Sequence, residues 1–279
     1  MFRHVLVLGA LAMFISLGAA EEPADPSRKA FERWVEYYQE VAGGYDIRLK
    51  SQPDEPLEVS AEPVHVYTNP SSGLDTHGAF FVWTHNGRAE AIGAIWSKLT
   101  GRGSRIRYVH HEFQSLSTEP FVAKGREGLT WAPRAEGVEL KEVADAPPPA
   151  KTKALRLAQM RAIARGFTGY HVNPTEFQLR LLAQPLYRYE PPEDADALGD
   201  GAVFGLFMDW DPEILLVLEI RPTDAGPRWH YAVGRFSNKP LRLEHGGRDV
   251  WEHAGGDFGD PRGPFYAKHG VATRPAELE

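Results

Sequence analysis

Two stretches of the chain resemble each other at a spacing of about 122 residues, and an internal repeat constrains the fold more than any other sequence feature. Residues 61–67 resemble residues 183–189, and residues 78–81 resemble residues 201–204. Three aromatic matches follow in the same order: Tyr108, Phe113 and Trp131 correspond to Tyr231, Phe236 and Trp251. Because the matches fall in order at nearly one offset, the sequence predicts two tandem, diverged copies of one unit.

Each copy begins with the pattern of a helix. Asp25 and Pro26 suit the N-cap and the first helical position, and the apolar residues that follow at helical spacing end at Gly43 and Gly44. In the second copy, Thr152 can cap a helix whose apolar stripe runs from residue 157 to residue 167. We therefore expect one helix at the start of each copy.

An antiparallel β-meander is expected after each helix. Asn86 and Gly87 form a strong signal for a two-residue hairpin turn, because both turn positions require a positive φ. The run 214–218 is apolar at every position, which predicts a central strand covered on both faces. The predicted class is α+β, and the two sheets either join into one curved sheet or stay separate. The expected strands are 79–84, 88–96 and 105–113 in the first copy, and 202–209, 213–221 and 229–236 in the second.

The N-terminus has the pattern of a secretory signal. Arg3 and His4 precede an uncharged apolar run over residues 5–17, and the small residues 18–20 follow. The run is shorter than the roughly 20 apolar residues that cross a bilayer, so we expect export to the periplasm or the medium, with an uncleaved anchor as the alternative. No second run of this kind occurs, so no transmembrane segment is expected beyond the signal.

The chain divides into five predicted segments. A signal peptide occupies residues 1–20, and the first helix-plus-sheet repeat occupies residues 21–144. A stiff proline-rich linker, 145–151, separates it from the second repeat, 152–253. The C-terminal tail, 254–279, is rich in glycine, proline and charge, and we expect it to be mostly irregular.

Composition disfavours several classes of function. The chain has 31 Lys and Arg against 38 Asp and Glu, a formal net charge of −7, which makes nucleic acid an unexpected partner. It has no cysteine, which excludes disulfides, Cys-based zinc sites and thiol catalysis. It also contains no nucleophile elbow, phosphate-binding glycine loop, HExxH motif or dinucleotide fingerprint. These features favour a protein that is not an enzyme, and no cofactor is expected.

The most suggestive candidate for chemistry is a His-His-Glu run in the first copy. Strand alternation places His110 and Glu112 on one face and His111 on the other. If the third strand of the meander pairs with the second in a symmetric register, His85 lies near Glu112 at one end of the sheet. Two imidazoles and a carboxylate could bind zinc or share a proton, and a solvated or simply hydrogen-bonded pair is the alternative. His85, His110 and Glu112 are therefore the candidate binding residues, with no metal assigned.

Two further groups of residues have a structural and a functional interpretation. Asp75 and His77 lie in a predicted loop, where we expect local turn bonds, and a metal ligand or general base is the alternative. The aromatic residues are expected mainly in the core, with a ligand-binding cleft as the alternative.

Three segments resemble those of a family of exported bacterial proteins without an assigned function. These segments are residues 178–190, 211–216 and 111–116. The resemblance extends over most of the chain after the signal, and it implies a self-standing exported protein. It transfers no activity and no catalytic residue.

Three functions agree with these observations. The leading hypothesis is a non-catalytic exported binding or interaction protein whose sheets form a recognition surface or a shallow cavity. The first alternative is a metal-dependent or His/Glu-dependent hydrolase that uses His85, His110 and Glu112. The second alternative is a structural component of the cell envelope. The partner is unknown, and a small molecule or an envelope component is the candidate.

Overall fold

A computed structural model of the 279-residue chain describes residues 26–69, 73–172, 175–189, 199–256, 259–276 and 278. This part of the chain contains two α-helices and four antiparallel β-sheets, which confirms the α+β class. No described helix is long and apolar enough to cross a membrane. The predicted signal segment and Asp25 lie outside the described residues.

The first half consists of one helix and eight strands. Its helix α1 (Pro26–Gly43) precedes β1 (Asp46–Leu49), β2 (Glu58–Val59), β3 (His65–Thr68), β4 (Thr76–His85), β5 (Arg88–Leu99), β6 (Ile106–Ser115), β7 (Phe121–Lys124) and β8 (Thr130–Trp131). Strands β4, β5 and β6 form the predicted meander, and β2 and β3 pair with β4. A smaller sheet has the order β1-β7-β8.

The second half begins after a two-residue strand, β9 (Lys141–Glu142). Helix α2 (Lys153–Ala164) precedes β10 (Phe167–Val172), β11 (Glu176–Gln178), β12 (Arg180–Leu181), β13 (Tyr187–Arg188), β14 (Gly201–Met208), β15 (Asp211–Arg221), β16 (Arg228–Arg235), β17 (Leu241–His245) and β18 (Arg248–His253). Strands β14, β15 and β16 form the second predicted meander, and β12 and β13 pair with β14. A smaller sheet has the order β11-β10-β17-β18.

The elements of the two halves pair in the same order. The connectivity of β4-β5-β6 matches that of β14-β15-β16, and that of β1-β7-β8 matches that of β10-β17-β18. The last strand of each meander also has a partner on its outer edge, which is β19 (Phe265–Pro275) on β6 and β9 on β16. These two edge strands differ in length, because β19 has 11 residues and β9 has 2.

Two local predictions are confirmed. Asn86 and Gly87 both have positive φ values, 48° and 76°, as a tight hairpin between β4 and β5 requires. The Thr152 side chain accepts a hydrogen bond from the backbone N–H of Leu155 and so caps α2. The turn and the cap therefore set where β5 and α2 begin.

Three hydrophobic cores stack through the molecule. Helix α1 and the small sheet β1-β7-β8 cover one face of the first large sheet, in a core that includes Trp34 and Trp83. Helix α2 and the small sheet β11-β10-β17-β18 cover the second large sheet in the same way, around Met160 and Leu216. The third core lies between the two large sheets and joins residues of both halves, such as Phe80 and Leu215.

Strand β15 is central, as its apolar run predicts. Ile214, Leu216 and Leu218 lie in the core beside α2, whereas Leu215 and Val217 lie in the core between the large sheets. A strand that is buried on both faces has no polar side, so its sequence does not alternate.

The large sheets do not join into one curved sheet. No backbone ladder between described strands joins them, and they pack face to face through the central core. The reason lies at the edge of the first sheet, because β19 pairs with β6 from Gln114 to Ile106 and leaves no free edge there.

The C-terminal segment 254–279, which was expected to be mostly irregular, contains an 11-residue strand that the sequence did not predict. Residues 265–275 form β19, and Phe265, Tyr266 and Ala267 are buried in it. A register shift between Lys268 and Ala272 interrupts the pairing, so the segment lacks the strict alternation that marks a strand in sequence.

Candidate functional site

His110 and Glu112 lie on the same face of β6, as strand alternation predicts. This face is directed toward the second half, since Asp211 and Glu213 of β15 are the charges that act on Glu112. His111 lies on the opposite face, where its Nδ1 is 2.6 Å from the hydroxyl of Tyr45. The pair is therefore at the junction of the two large sheets.

His85 does not lie near this pair, and the prediction that joined all three residues was wrong. Glu112 is opposite Ala94, and Ala94 is opposite Phe80, so His85 is five residues further along β4, or about 17 Å. The prediction assumed that β6 pairs symmetrically with a shorter β5. Strand β5 continues to Leu99 before the chain turns, and this shifts the register of β6. At the turn, the Nε2 of His85 is 3.0 Å from the side-chain nitrogen of Asn86.

His110 has a histidine partner that the sequence did not predict. Its ring stacks on Trp96 at 4.0 Å, and its Nδ1 is 3.0 Å from the Nδ1 of His269 in β19. The backbone N–H of Gly270 also donates to the His110 Nδ1, at 3.3 Å. Burial lowers the pKa of His110 to about 3, and His269 and Lys98 add to this effect. The imidazole is therefore neutral, and His269 was missed because the tail was expected to be irregular.

Three carboxyl groups meet beside this pair with raised pKa values. Burial is the largest cause in each case, and it raises the pKa of Glu112 to about 8, of Glu213 to about 7 and of Asp211 to about 6. Each carboxyl also repels its neighbours, which favours the neutral forms. Among the described residues, no group of three or more His, Cys, Asp or Glu side chains could hold a metal ion. Burial therefore favours the protonated forms of these three carboxyl groups.

A cavity of about 610 Å³ lies beside helix α1, and we call it the α1 pocket. Its walls include Phe31, Trp34, His77, Leu99 and Arg107. His77 contacts the rings of Phe31 and Trp34 edge-on, at 5.3 and 5.4 Å. Aromatic walls with a few convergent polar groups are typical of small-molecule sites.

A chain of buried hydrogen bonds holds His77 from behind. The Arg107 Nε donates to the Ser97 Oγ at 2.9 Å, the Ser97 Oγ is 2.6 Å from the Tyr38 hydroxyl, and that hydroxyl is 2.8 Å from the His77 Nδ1. Arg107 only donates, so the Ser97 Oγ accepts from it, and the Tyr38 hydroxyl has two acceptors within reach on His77, the Nδ1 and the backbone carbonyl at 3.2 Å. When Tyr38 donates to the nearer acceptor, the Nδ1, the proton of the neutral His77 lies on Nε2.

His77 stays neutral in this setting. Burial lowers its pKa to about 3, and the nearby charge of Arg107 acts in the same direction. His77 lines the α1 pocket, and the hydrogen bonds of its ring among the described residues are made by Nδ1, not by Nε2. With its proton on Nε2, His77 offers one N–H donor to the cavity.

Asp75 supplies the second polar group of the α1 pocket. Arg107 donates to its carboxylate at 2.7 Å and to its backbone carbonyl at 2.9 Å. Arg107 is 2% exposed and Asp75 61%, so the ion pair joins a buried cation to a carboxylate that faces solvent. The expectation of a loop held for Asp75 only, because β4 begins at Thr76 and includes His77.

Tyr38, Ser97 and Arg107 were not singled out from the sequence. Tyr38 resembles any aromatic residue of a helix stripe, and Ser97 is an ordinary strand residue. Arg107 offered one usable signal, since a cation within a strand needs a buried partner when its face is covered. Comparison of the chain with models of protein families, with curated proteins and with solved structures finds no match.

Proposed function

We propose that the protein is a non-catalytic, exported binding protein that holds a small neutral molecule in the α1 pocket. The observation that carries the proposal is His77, which lines an aromatic cavity and is held at its Nδ1 by a buried series of three hydrogen-bonded groups. A donor fixed in this way lowers the entropic cost of recognising an acceptor, because the side chain need not be ordered on binding.

The geometry of the α1 pocket favours binding over catalysis. A general base works best with a pKa near the working pH, whereas the pKa of His77 is about 3. The hydroxyl of Ser97 is fully buried and already bonded to Arg107 and Tyr38, so it is not a free nucleophile. The polar groups therefore position a ligand.

The chemistry of the α1 pocket defines a ligand class. A flat ring suits the walls formed by Phe31 and Trp34. A carbonyl oxygen suits the N–H of His77, and an amide N–H suits the exposed carboxylate of Asp75. Arg107 is paired with Asp75, and Arg28, the other described cation of the wall, is paired with Glu32, so each of these cations already has a carboxylate partner. We therefore infer an aromatic amide or a close relative.

Export and duplication are part of the same proposal. The signal-like pattern of residues 1–20 and the resemblance to exported bacterial proteins support export. The shared order of pairings in the two halves supports descent from one duplicated unit. The hydrolase hypothesis is not retained, because His85 lies far from His110 and Glu112.

Benzamide is the probe for this proposal, since it joins a ring, a carbonyl acceptor and an amide donor. We expect saturable binding in ligand-observed NMR, with a dissociation constant in the millimolar range that suits a fragment of this size. Replacing His77→Phe should weaken binding at least tenfold. Tyr38→Phe should weaken benzamide binding less, because the imidazole of His77 stays in place and loses only its hydrogen bond with the Tyr38 hydroxyl.

Two controls make the outcome decisive. His85→Ala changes a histidine at the far hairpin and should leave benzamide binding unchanged. Benzoate should bind more weakly than benzamide, because its charge lies near Asp75. The proposal is wrong if benzamide shows no saturable binding, or if it binds the wild type and His77→Phe equally.

A further inference from the structure

The outer edge of β16 is only partly paired. Strand β9 pairs Lys141 with Tyr231 and Glu142 with His230, and Val143 donates to the carbonyl of Trp229. On the inner side, Phe236 donates to the carbonyl of Glu213 in β15. Bonding groups alternate along a strand, so the even residues bond β15 and the odd residues face the outer edge. The next odd residue after Tyr231 is Val233, and no described strand pairs with it there.

The chain leaves this edge for a visible reason. The backbone N–H of Gly137 donates to the carbonyl of Ser117 at 2.8 Å, and the side chain of Gln114 donates to the carbonyl of Gly137 at 3.3 Å. A Cβ atom at Gly137 would lie 2.2 Å from the Oγ of Ser115. Only glycine fits this approach, so the segment before β9 is held against the end of β6. The position opposite Val233 is left open.

A long groove lies along the open edge. One cavity of about 720 Å³ and another of about 390 Å³ share Gly137, Val233 and Trp251 in their walls. Tyr231 and Val250 add apolar surface to the larger cavity. The two cavities therefore adjoin along β16, with Val233 in the wall of both.

Charged side chains of both signs line the groove, and Arg235 lies in the wall of the smaller cavity. Glu139 is paired with Lys141 at 3.1 Å, whereas the exposed Glu136 has no ion-pair partner among the described residues. A cationic side chain in the groove would complement Glu136.

The first half shows what this kind of edge accepts. Strand β6 occupies the same place in its meander as β16, and β19 pairs with it from Phe265 to Pro275. The equivalent edge of β16 carries only the two residues of β9.

We propose that the β16 groove binds an extended peptide segment of a partner protein. The peptide continues the ladder that β9 begins and exchanges two backbone hydrogen bonds with Val233. Its apolar side chains lie against Trp251 and Tyr231 at alternate positions, and a Lys or Arg side chain faces Glu136. This is strand addition to a sheet edge, in which the backbone supplies affinity and the pockets supply specificity.

The probe is a fluorescent synthetic peptide with the sequence of Phe265–Pro275, which covers the matching edge of β6 and carries Lys268 and Arg274. Binding is measured by anisotropy with the full chain. Val233→Pro removes the outward N–H without removing a bond to β15, and Val233→Ala is the matched control. We expect at least a tenfold loss of affinity with Val233→Pro and less than a threefold loss with Val233→Ala. Glu136→Gln should weaken binding severalfold at low salt.

Each other outcome overturns the proposal. It fails if the peptide shows no saturable binding, or if Val233→Pro binds as the wild type does while circular dichroism shows a native fold. Self-association of the protein that Val233→Pro abolishes would assign the groove to a second copy of the chain. Because His77→Phe should leave peptide binding unchanged, failure here and failure of the α1 pocket are distinguishable.

Discussion

Glu112 shows how a single buried carboxyl group links stability to pH. Its pKa is about 8 in the folded protein, against an ordinary value of 4.5. A raised carboxyl pKa means that the folded state holds the proton more tightly than the unfolded chain does. The stabilisation of the folded state by protonated Glu112 is complete below pH 4.5 and is lost as the pH rises through 8. Asp211 and Glu213 titrate in the same direction, with pKa values of about 6 and 7.

Glu112→Gln should therefore flatten the pH dependence of stability. Between pH 5 and 8, a carboxyl group of this kind costs the folded state up to about 1.4 kcal/mol per pH unit. We expect the wild type to lose stability to urea over this range and Glu112→Gln to lose markedly less. Glu252→Gln, at an exposed position, is the control. Parallel pH profiles for wild type and Glu112→Gln would contradict the burial of this group.

Tyr38→Phe tests the hydrogen-bond chain behind His77. The substitution removes the hydroxyl between Ser97 and His77 and leaves both groups buried without that partner. We expect a loss of about 1–3 kcal/mol in the free energy of unfolding, measured by urea denaturation. Tyr170→Phe is the control and should change stability by less than about 0.5 kcal/mol. Equal effects of the two substitutions would argue against the chain of hydrogen bonds behind His77.

At the residue scale, the sequence predicted that His110 and Glu112 share a face, but it did not predict the hydrogen bonds that connect Arg107 to His77. Alternation alone put His110 and Glu112 on one face of β6, because side chains alternate in any regular strand. The position of His85 depended on the register of β6, which a longer β5 changed. The chain from Arg107 to His77 joins β6, β5, α1 and β4, and no local pattern encodes a contact among four elements.

At the scale of elements, β19 is the strand that was not predicted from the sequence. The meanders were predictable because Asn86-Gly87 marks a turn and the flanking runs are apolar. The segment 265–275 has glycine at position 270 and three basic or histidine side chains, which resemble a loop. Its pairing depends on the edge of β6, which only the folded sheet provides.

Phe265→Ala measures what β19 contributes. Phe265 is buried, packs at 5.9 Å from the ring of Phe236, and lies under the guanidinium of Arg235. Truncation of a buried phenylalanine costs about 3–5 kcal/mol, so the urea midpoint should fall accordingly. Thr273→Ala changes an exposed position of the same strand and should have little effect. A loss below about 1 kcal/mol for Phe265→Ala would mean that β19 is not firmly docked.

At the scale of the whole molecule, the central core joins the two halves. It is built from both large sheets, so neither half can bury this face alone. The sequence predicted two helix-plus-sheet units and a central β15, because these follow from local patterns. How the units pack was not predictable, because an apolar sheet face does not specify which other surface will cover it.

Leu215→Ala should therefore destabilise both halves together. Leu215 is fully buried in the central core, and its truncation is expected to cost about 2–5 kcal/mol. Native-state hydrogen exchange should show equal losses of protection in β5 and β15. Leu155→Ala, at an exposed position of α2, is the control. Loss of protection confined to β15 would show that the halves unfold independently.

The most direct test of the binding proposal is a crystal structure of the protein grown with benzamide. The account predicts benzamide in the α1 pocket, with its carbonyl oxygen within about 3.2 Å of the Nε2 of His77 and its ring beside Phe31 and Trp34. Benzamide bound elsewhere, or a His77 whose Nε2 is bonded to another protein group, would contradict it.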